Sequence, residues 1–365
     1  MSDRNRILLL APHLGGGGAE HVMALLARNL SREKYEVHLG LVQQGEATGD
    51  VLPPWVAIHP LGARRARAAA FPLLRLVWRL RPHVILTSAI EVSFLVLLLR
   101  PYFPRKTCIL VRQNATLSSL LSTGSLPQFA RWLCRILYRQ SDRVICQSLA
   151  MARDLEQTAG IGQERITVLP NPVDLDAIRA AACTPSVWQG PGPHLLAVGR
   201  LSQEKGIDLL LLALAHIRQQ YPCAGLIVAG AGREEAALKA LCSELGLDTA
   251  VRFAGHVDNP YTLFAGATLF VLPSRHEGMP NALLEAAAAG LPLVVTPASG
   301  GVVDLLQGKK GAWIAPEISA NALASTILVA LDSLQDGERF VQPFLSAQTS
   351  SSSVDPSANS VLQQK

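Results

Sequence analysis

Apolar runs of three to six residues, rich in Val, Ile and Leu, recur along the chain and alternate with longer stretches of helical spacing. In the first half, the runs at 6–11, 37–42, 84–86, 108–111, 143–146 and 166–169 predict strands. In the second half, those at 194–198, 226–229, 251–253, 269–272, 293–296 and 313–315 do the same. A strand that is apolar at nearly every position has no face for water. Runs of this kind separated by helices therefore predict parallel sheets covered on both sides. The pattern breaks once. Pro170-Asn-Pro-Val-Asp174 stops a strand, and the segment 184–193 is rich in Pro and Gly, like a linker. A fresh strand follows. The expected architecture is α/β, with two doubly wound, Rossmann-like parallel-sheet domains facing across a cleft: residues 1–175, then 176–340. A polar, flexible tail is expected over 341–365, where Ser350–Ser353 form a run of four. In such sheets ligands bind beyond the carboxyl ends of the strands.

Composition narrows the class. The 365 residues are 49% hydrophobic and 17% charged, enough apolar material for large cores. No apolar run approaches the ~18–20 residues of a membrane span. The first residues run directly into a strand, without the pattern of a signal peptide. Six cysteines show no paired spacing, so they read as small core residues in a reducing compartment, and no metal site is expected. The charge is lopsided. Residues 1–175 carry 21 Lys and Arg against 12 Asp and Glu, whereas residues 176–365 carry 12 against 16. The first half should therefore meet something anionic.

Three segments carry candidate chemistry. The first strand ends in a Gly15–Gly18 loop that opens a helix. Such glycines serve either an anion approached by backbone N–H groups or a tight turn needing positive φ. The spacing is not that of a dinucleotide fingerprint. After the strand at 194–198, Arg200 and Lys205 stand five residues apart with Gly199 and Gly206 beside them. A planar fork and a point charge at a strand's carboxyl end suit a diphosphate; alone they could be solvated surface charges. The densest segment is Ser274-Arg-His-Glu-Gly-Met-Pro-Asn281, leading into an Ala-rich helix. Asn281 is the expected N-cap and Gly290 the expected stop. Glu277 lies on the loop and Glu285 one turn into the helix, where it either faces a ligand hydroxyl or is a solvated helix-face acid.

The arrangement Glu277-Gly-Met-Pro-Asn…Glu285…Gly290-Leu-Pro resembles the signature of retaining GT-B glycosyltransferases, specifically family 4. Gly17-Gly-Ala-Glu20, Pro170–Asp174, Val198-Gly-Arg-Leu…Lys205-Gly, Ala229-Gly-Ala-Gly232 and Phe253–Val257 fall in that family's order, from about residue 6 to 315. The resemblance implies transfer of a sugar from a nucleotide-sugar, with retention, and no metal or other cofactor. It assigns Arg200 and Lys205 to the diphosphate, Glu277 to the donor sugar and Glu285 to the ribose. Gly278, Met279, Pro280 and Asn281 would line the donor through backbone groups, Gly16 and Gly17 would close over it, and Val257 would contact the base. The family's usual first-domain His is not matched: residues 84–94 contain none and His83 comes too early. His13 is the remaining candidate beside the acceptor, or a loop-packing histidine. Ser93-Phe94-Leu95 and Val111-Arg-Gln-Asn114 are similar to a subset that builds bacterial surface glycans from N-acetylhexosamine donors and lipid-linked acceptors. After residue 340 the chain turns polar where the family usually has a helix crossing back, which leaves domain closure open.

The basic half has its own cluster. Six arginines between Arg64 and Arg81 interleave with Phe71, Leu73, Leu74, Val77, Trp78 and Leu80. This reads as a membrane-surface helix with Arg75 and Arg79 toward anionic lipid or a lipid-diphosphate acceptor, or as an ordinary surface helix with its apolar face in the core. A second patch, 97–106, would dip into the interface nearby. Nucleic acid is a poor fit, since no recognised binding module appears and aromatics are only 5%. The expected protein is a cytoplasmic glycosyltransferase, peripheral on the inner membrane face. It would use a UDP-N-acetylhexosamine or UDP-hexose and a lipid-linked or cell-surface glycan. The alternatives are a soluble transferase with a small acceptor, or a weakly active nucleotide-sugar-binding partner subunit.

Overall fold

A computed structural model of the chain describes residues 4–15, 17–43, 52–122, 127, 129–182, 184–298, 301–334 and 338–340. The expected tail over 341–365 lies outside the described residues. Two units divide between Pro172 and Val173.

Unit 1 holds β1 (Asn5–Ala11), α1 (Gly18–Asn29), β2 (Tyr35–Leu41), β3 (Ala57–Pro60), α2 (Ala70–Leu80), β4 (Val84–Thr87), α3 (Ile90–Leu99), β5 (Cys108–Arg112), α4 (Leu117–Ser122), α5 (Phe129–Leu137), β6 (Arg143–Cys146), α6 (Leu149–Ala159) and β7 (Ile166–Val168). The strands form one parallel sheet in the order β3-β2-β1-β4-β5-β6-β7. The pleat of β1 accounts for its unbroken apolar run. Leu8 and Leu10 pack under α2, α3, α5 and α6, while Ile7, Leu9 and Ala11 face α1 on the other side. β3 was not legible as a strand. It pairs with β2 alone, is largely exposed and contains Pro60, so it lacks the apolar run that marks the others. Leu73, Leu76 and Val77 of α2 are core residues, so that stripe of the basic helix faces the sheet.

Unit 2 holds α7 (Leu175–Ala182), β8 (His194–Val198), α8 (Ile207–Gln220), β9 (Gly225–Ala229), α9 (Glu235–Glu244), β10 (Val251–Gly255), β11 (Leu269–Leu272), α10 (Asn281–Ala288), β12 (Leu293–Val295), α11 (Val302–Leu306), β13 (Ala312–Ile314) and α12 (Ala320–Ser333). Its sheet is parallel throughout, in the order β10-β9-β8-β11-β12-β13. The two parallel-sheet units are those expected from the hydrophobic pattern. Gly290, at φ 76°, lies just past the end of α10, as expected. Phe340 is buried against Trp313 and donates its N–H to the Gly290 carbonyl at 2.8 Å, so residues 338–340 belong to this unit.

The loops at the carboxyl ends of β8, β9 and β10 are bonded to one another. Gly199 N–H donates to Ala229 O at 2.9 Å, Leu201 N–H to Ala231 O at 3.0 Å, and Gly230 N–H to Gly255 O at 2.7 Å. Gly230 sits at φ 141°, and a Cβ there would lie 1.9 Å from the Gly199 carbonyl oxygen, a backbone atom with little room to move. Gly230→Ala should therefore cost about 1–3 kcal/mol of stability by displacing the loop that carries Arg200. Equilibrium denaturation is the check, and a variant as stable as the parent would refute the close-approach argument.

Candidate functional site

β8 and β11 are neighbours, and the chain leaves them in opposite directions, to β9 on one side and β12 on the other. Such a reversal opens a crevice at the carboxyl edge of a doubly wound sheet. The loops after these two strands bring Lys205 and Glu277 together. Glu277 Oε1 accepts from Lys205 Nζ at 2.7 Å and from Ser274 Oγ at 2.6 Å. The two side chains are 6% and 22% exposed for Glu277 and Lys205, so the pair is held largely away from water. A second ion pair fixes the same loops. Arg275 donates through both terminal nitrogens to Asp208, at 2.8 and 2.7 Å, and its N–H meets the Glu204 carbonyl at 2.7 Å. Burial pushes the Asp208 carboxyl up, but the Arg275 fork outweighs it and leaves the group below its ordinary range. Burial likewise disfavours the Glu204 carboxylate. Its hydrogen bonds and the charges of Arg200 and Lys205 hold it below the usual range nonetheless. Arg200 itself is exposed.

Glu285 is on the second turn of α10 and is 8% exposed. The Tyr261 hydroxyl donates to its Oε1 across a long 3.4 Å. Burial pushes its carboxyl up to about 7. It is therefore not a solvated helix-face acid. Tyr261 comes from the turn after β10, where Asn259 Oδ1 accepts its backbone N–H at 3.2 Å. That turn follows Val257, which packs half-buried on the apolar cluster beneath α10. The N-cap of α10 is Pro280, and Asn281, the expected cap, is instead the first helical residue, so the helix starts one place earlier than expected. Pro280 holds extended backbone at φ −74°, ψ 112°, and its carbonyl accepts from Leu283 N–H. Pro280 itself offers no side-chain cap. Gly278 is half-buried at its mouth, with Met279 and Pro280 buried beside it.

In unit 1 the glycine loop behaves differently from a positive-φ turn. Gly15, Gly17 and Gly18 all lack positive φ, and Gly16 lies outside the described residues. Gly17 is the N-cap of α1, and a Cβ there would overlap the Glu20 carboxylate. His13 Nδ1 accepts the Gly15 N–H at 3.1 Å, which places the proton of a neutral ring on Nε2. Arg75 and Arg79 stand exposed on α2 rather than at strand ends. Arg79 reaches β3, where its Nη2 meets His59 Nδ1 at 3.2 Å. Burial, with His38 and Arg79 beside it, pushes the His59 ring down to about 4.

Two family models tile this chain. "Glycosyltransferase Family 4" matches residues 16–177 and "Glycosyl transferases group 1" matches residues 185–342. The chain belongs to the family 4 glycosyltransferases. Its likeness to the glycogen synthase of Mycobacterium tuberculosis is 35% identity over 198 residues, covering 54% of this chain and 47% of that one. The chain thus spans about half the length of that relative. An N-acetylgalactosamine-N,N'-diacetylbacillosaminyl-diphospho-undecaprenol 4-alpha-N-acetylgalactosaminyltransferase of Campylobacter jejuni is 28% identical over 306 residues, 80% of each chain. HepE of Anabaena, solved with UDP-glucose, superposes with a TM-score of 0.82 at 18% identity, covering 99% and 100% of the two chains. That likeness shows the GT-B fold.

The loops of unit 2 bring Lys205, Glu277 and Ser274 into direct contact, and Glu285 into contact with Tyr261. Ser274 and Tyr261 had no assigned role in the sequence, because a hydroxyl's partner is set by the loops that meet in space. A second set gathers around Val111–Asn114, a segment the sequence singles out only by its resemblance to the surface-glycan subset. At the carboxyl ends of the unit 1 strands, Arg112 is buried and donates to Asn114 Oδ1 at 2.5 Å and Asn171 Oδ1 at 2.6 Å. Burial pushes its guanidinium down to about 10. Gln147 also donates to Asn114 Oδ1, at 3.1 Å, and Tyr138 OH to Gln113 Oε1, at 2.8 Å. The available signal was polar side chains placed directly after apolar strands. Among the described residues no three His, Cys, Asp or Glu side chains are grouped to hold a metal ion, and no helix is long and apolar enough to cross a membrane.

Proposed function

We propose that the chain transfers a hexosyl or N-acetylhexosaminyl group from a UDP-sugar to a hydroxyl of a lipid-linked or cell-surface glycan, with retention of anomeric configuration. The observation that carries this reading is the Lys205–Glu277–Ser274 contact at the β8/β11 crevice. It presents a cation for a diphosphate and a carboxylate for sugar hydroxyls within one hydrogen-bonded group. The donor's diphosphate takes Lys205 and the Arg200 fork as its counter-charges, which stabilise the negative charge that develops as the C1–O bond breaks. Glu277, released from Lys205, accepts from hydroxyls of the donor sugar. Glu285 accepts from the ribose, and the start of α10 turns its positive end toward the donor. A leaving phosphate oxygen takes the acceptor's proton on the face it vacates, so the acceptor oxygen enters there. No metal or cofactor is needed for these roles.

The UDP-glucose complex of HepE supports a uridine donor, and the name of the Campylobacter relative supports a lipid-diphosphate-linked acceptor. The chain acts in the cytoplasm, peripheral on the inner membrane face. His13 and the Arg112 cluster stand on the acceptor side. The test is a screen of the purified chain against UDP- and GDP-sugars, reading nucleotide release with and without lipid-linked acceptors. One UDP-sugar should give acceptor-stimulated UDP release. Release of GDP alone, or of nothing, would overturn the reading.

A further inference from the structure

The outer surface of one helix layer of unit 1 differs from the rest of the described surface. Five large aromatic side chains are exposed among the described residues: Phe71, Trp78, Tyr102, Phe129 and Trp132. All five stand on α2, on the turn after α3, or on α5, and these elements are neighbours in a single layer. Phe71 is 75% exposed and Phe129 66%. The core does not require them. α2 packs through Leu73, Leu76 and Val77, and α5 through Ala130, Cys134 and Leu137. Each helix thus carries a second apolar stripe that is largely exposed, with Leu74 alone half-buried against the core. The stripes are Phe71, Leu74 and Trp78 on α2, and Phe129, Trp132 and Ile136 on α5, at the same i, i+3, i+7 spacing.

The charge around these stripes has one sign. Neither helix contains an acidic residue, and arginines flank both stripes. A groove of about 590 Å³ runs between α2 and the turn after α3, walled by Phe71, Trp78, Pro101 and Tyr102. Trp78 Nε1 donates to the Tyr102 carbonyl at 2.9 Å, which fixes that wall. Pro101 and Phe103 also line a second cavity of about 810 Å³, around which Arg100, Arg105, Arg139 and Arg165 stand. Two acids, Asp142 and Glu164, share that lining with the four arginines, and Asp142 is taken up by Arg100 at 3.0 Å, so the cavity keeps a net positive charge. An apolar groove and an arginine cavity therefore share a wall.

We propose that this face docks on an anionic phospholipid bilayer, with lipid phosphates in the arginine cavity and the aromatic stripes of α2 and α5 in the interface. Guanidinium forks match phosphate, and Trp, Tyr and Phe favour the boundary between headgroup and acyl chain. This deepens the peripheral location in the proposed function by naming the face, and α5 as the second anchor. It does not depend on the donor chemistry.

The test measures co-sedimentation of the full chain with phosphatidylcholine vesicles, with and without phosphatidylglycerol. Two variants are compared with the parent: Phe71→Ser/Phe129→Ser/Trp132→Ser, and Arg105→Glu/Arg135→Glu/Arg139→Glu. UDP release from the donor in the absence of lipid is read on each. The parent should bind only the anionic vesicles, and less as salt rises. The arginine variant should lose about 100-fold in partitioning, and the aromatic variant at least about tenfold. Both should keep the parent's lipid-free UDP release. Equal binding to neutral and anionic vesicles, or unchanged binding by both variants, overturns the proposal. So does a parent that is dimeric where the aromatic variant is monomeric, because that face would then be covered by a second copy. Loss of vesicle binding with normal UDP release leaves the donor reading intact. Absent UDP release with normal vesicle binding defeats the donor reading alone.

Discussion

Lys205→Ala and Glu277→Ala should each lower turnover at least ~100-fold, the scale seen when one preorganised charge-stabilising group is removed from an active site. The two losses should not add. Lys205 and Glu277 share one hydrogen bond, at 2.7 Å, so the double variant should fall little below the worse single one. Stability gives an independent reading of the same contact. Glu277 is only 6% exposed, and Lys205→Ala leaves its carboxylate with the Ser274 hydroxyl at 2.6 Å but without the cation. Removing one member of a sheltered pair costs more than neutralising both, since an uncompensated charge stays behind. Lys205→Ala should therefore be less stable than Lys205→Met/Glu277→Gln, although both are inactive. The measurements are nucleotide release under saturating donor and denaturation midpoints of the same proteins. Near-normal rates in both single variants would remove the site assignment. A double variant no more stable than Lys205→Ala would show that the pair is better solvated than its burial implies.

Much of the fold and half of the candidate site are legible in the sequence, for a physical reason that differs between the two. Buried parallel strands must be apolar on both faces, so twelve of the thirteen strands among the described residues are legible as apolar runs. β3 did not, because an exposed edge strand is defined by its partner β2 and not by its own hydrophobicity. Residues whose chemistry follows from sequence spacing, such as Glu277 on its loop and Glu285 on its helix, could be singled out in advance. Their partners could not. Ser274 and Tyr261 reach them only because loops after different strands converge. The helix starts one residue before the expected Asn281 cap, because Pro280, with its fixed φ and extended ψ, takes the cap position while offering no side-chain acceptor. The α5 stripe is not legible in the sequence for another reason. Its spacing matches an ordinary core face, and only the structure shows that Cys134 and Leu137 already serve the core.

Glu285→Gln should stabilise the ligand-free protein at pH 8 and weaken donor binding. The carboxyl is pushed up to about 7 by burial, against 4.5 unperturbed. Between these values the folded state holds a proton that the unfolded chain releases. Its contribution is therefore complete below about pH 4.5 and is lost as pH rises through about 7. A shift of this size amounts to about 3 kcal/mol once both states are ionised. Glutamine keeps the acceptor oxygen for the Tyr261 hydroxyl and carries no charge to bury. The variant should thus be more stable by about 1–3 kcal/mol at pH 8, with the difference vanishing toward pH 4.5. Binding runs the other way. A ribose hydroxyl donates better to a carboxylate than to an amide or a carboxylic acid, so UDP-sugar affinity of the parent should rise between pH 6 and pH 8. The donor's esterified diphosphate does not titrate there, so comparing the parent with Glu285→Gln isolates the contribution of Glu285. In Glu285→Gln the affinity should be at least about tenfold lower at pH 8 and should lose its pH dependence. Calorimetric titration and urea denaturation across that range decide the matter. A variant that gains stability but keeps full, pH-dependent affinity would leave Glu285 a buried structural acid. One that gains no stability at pH 8 would mean the carboxylate is not buried as described. The outcome in which stability rises as binding falls is the mark of a group kept in an unfavourable place because a ligand completes it.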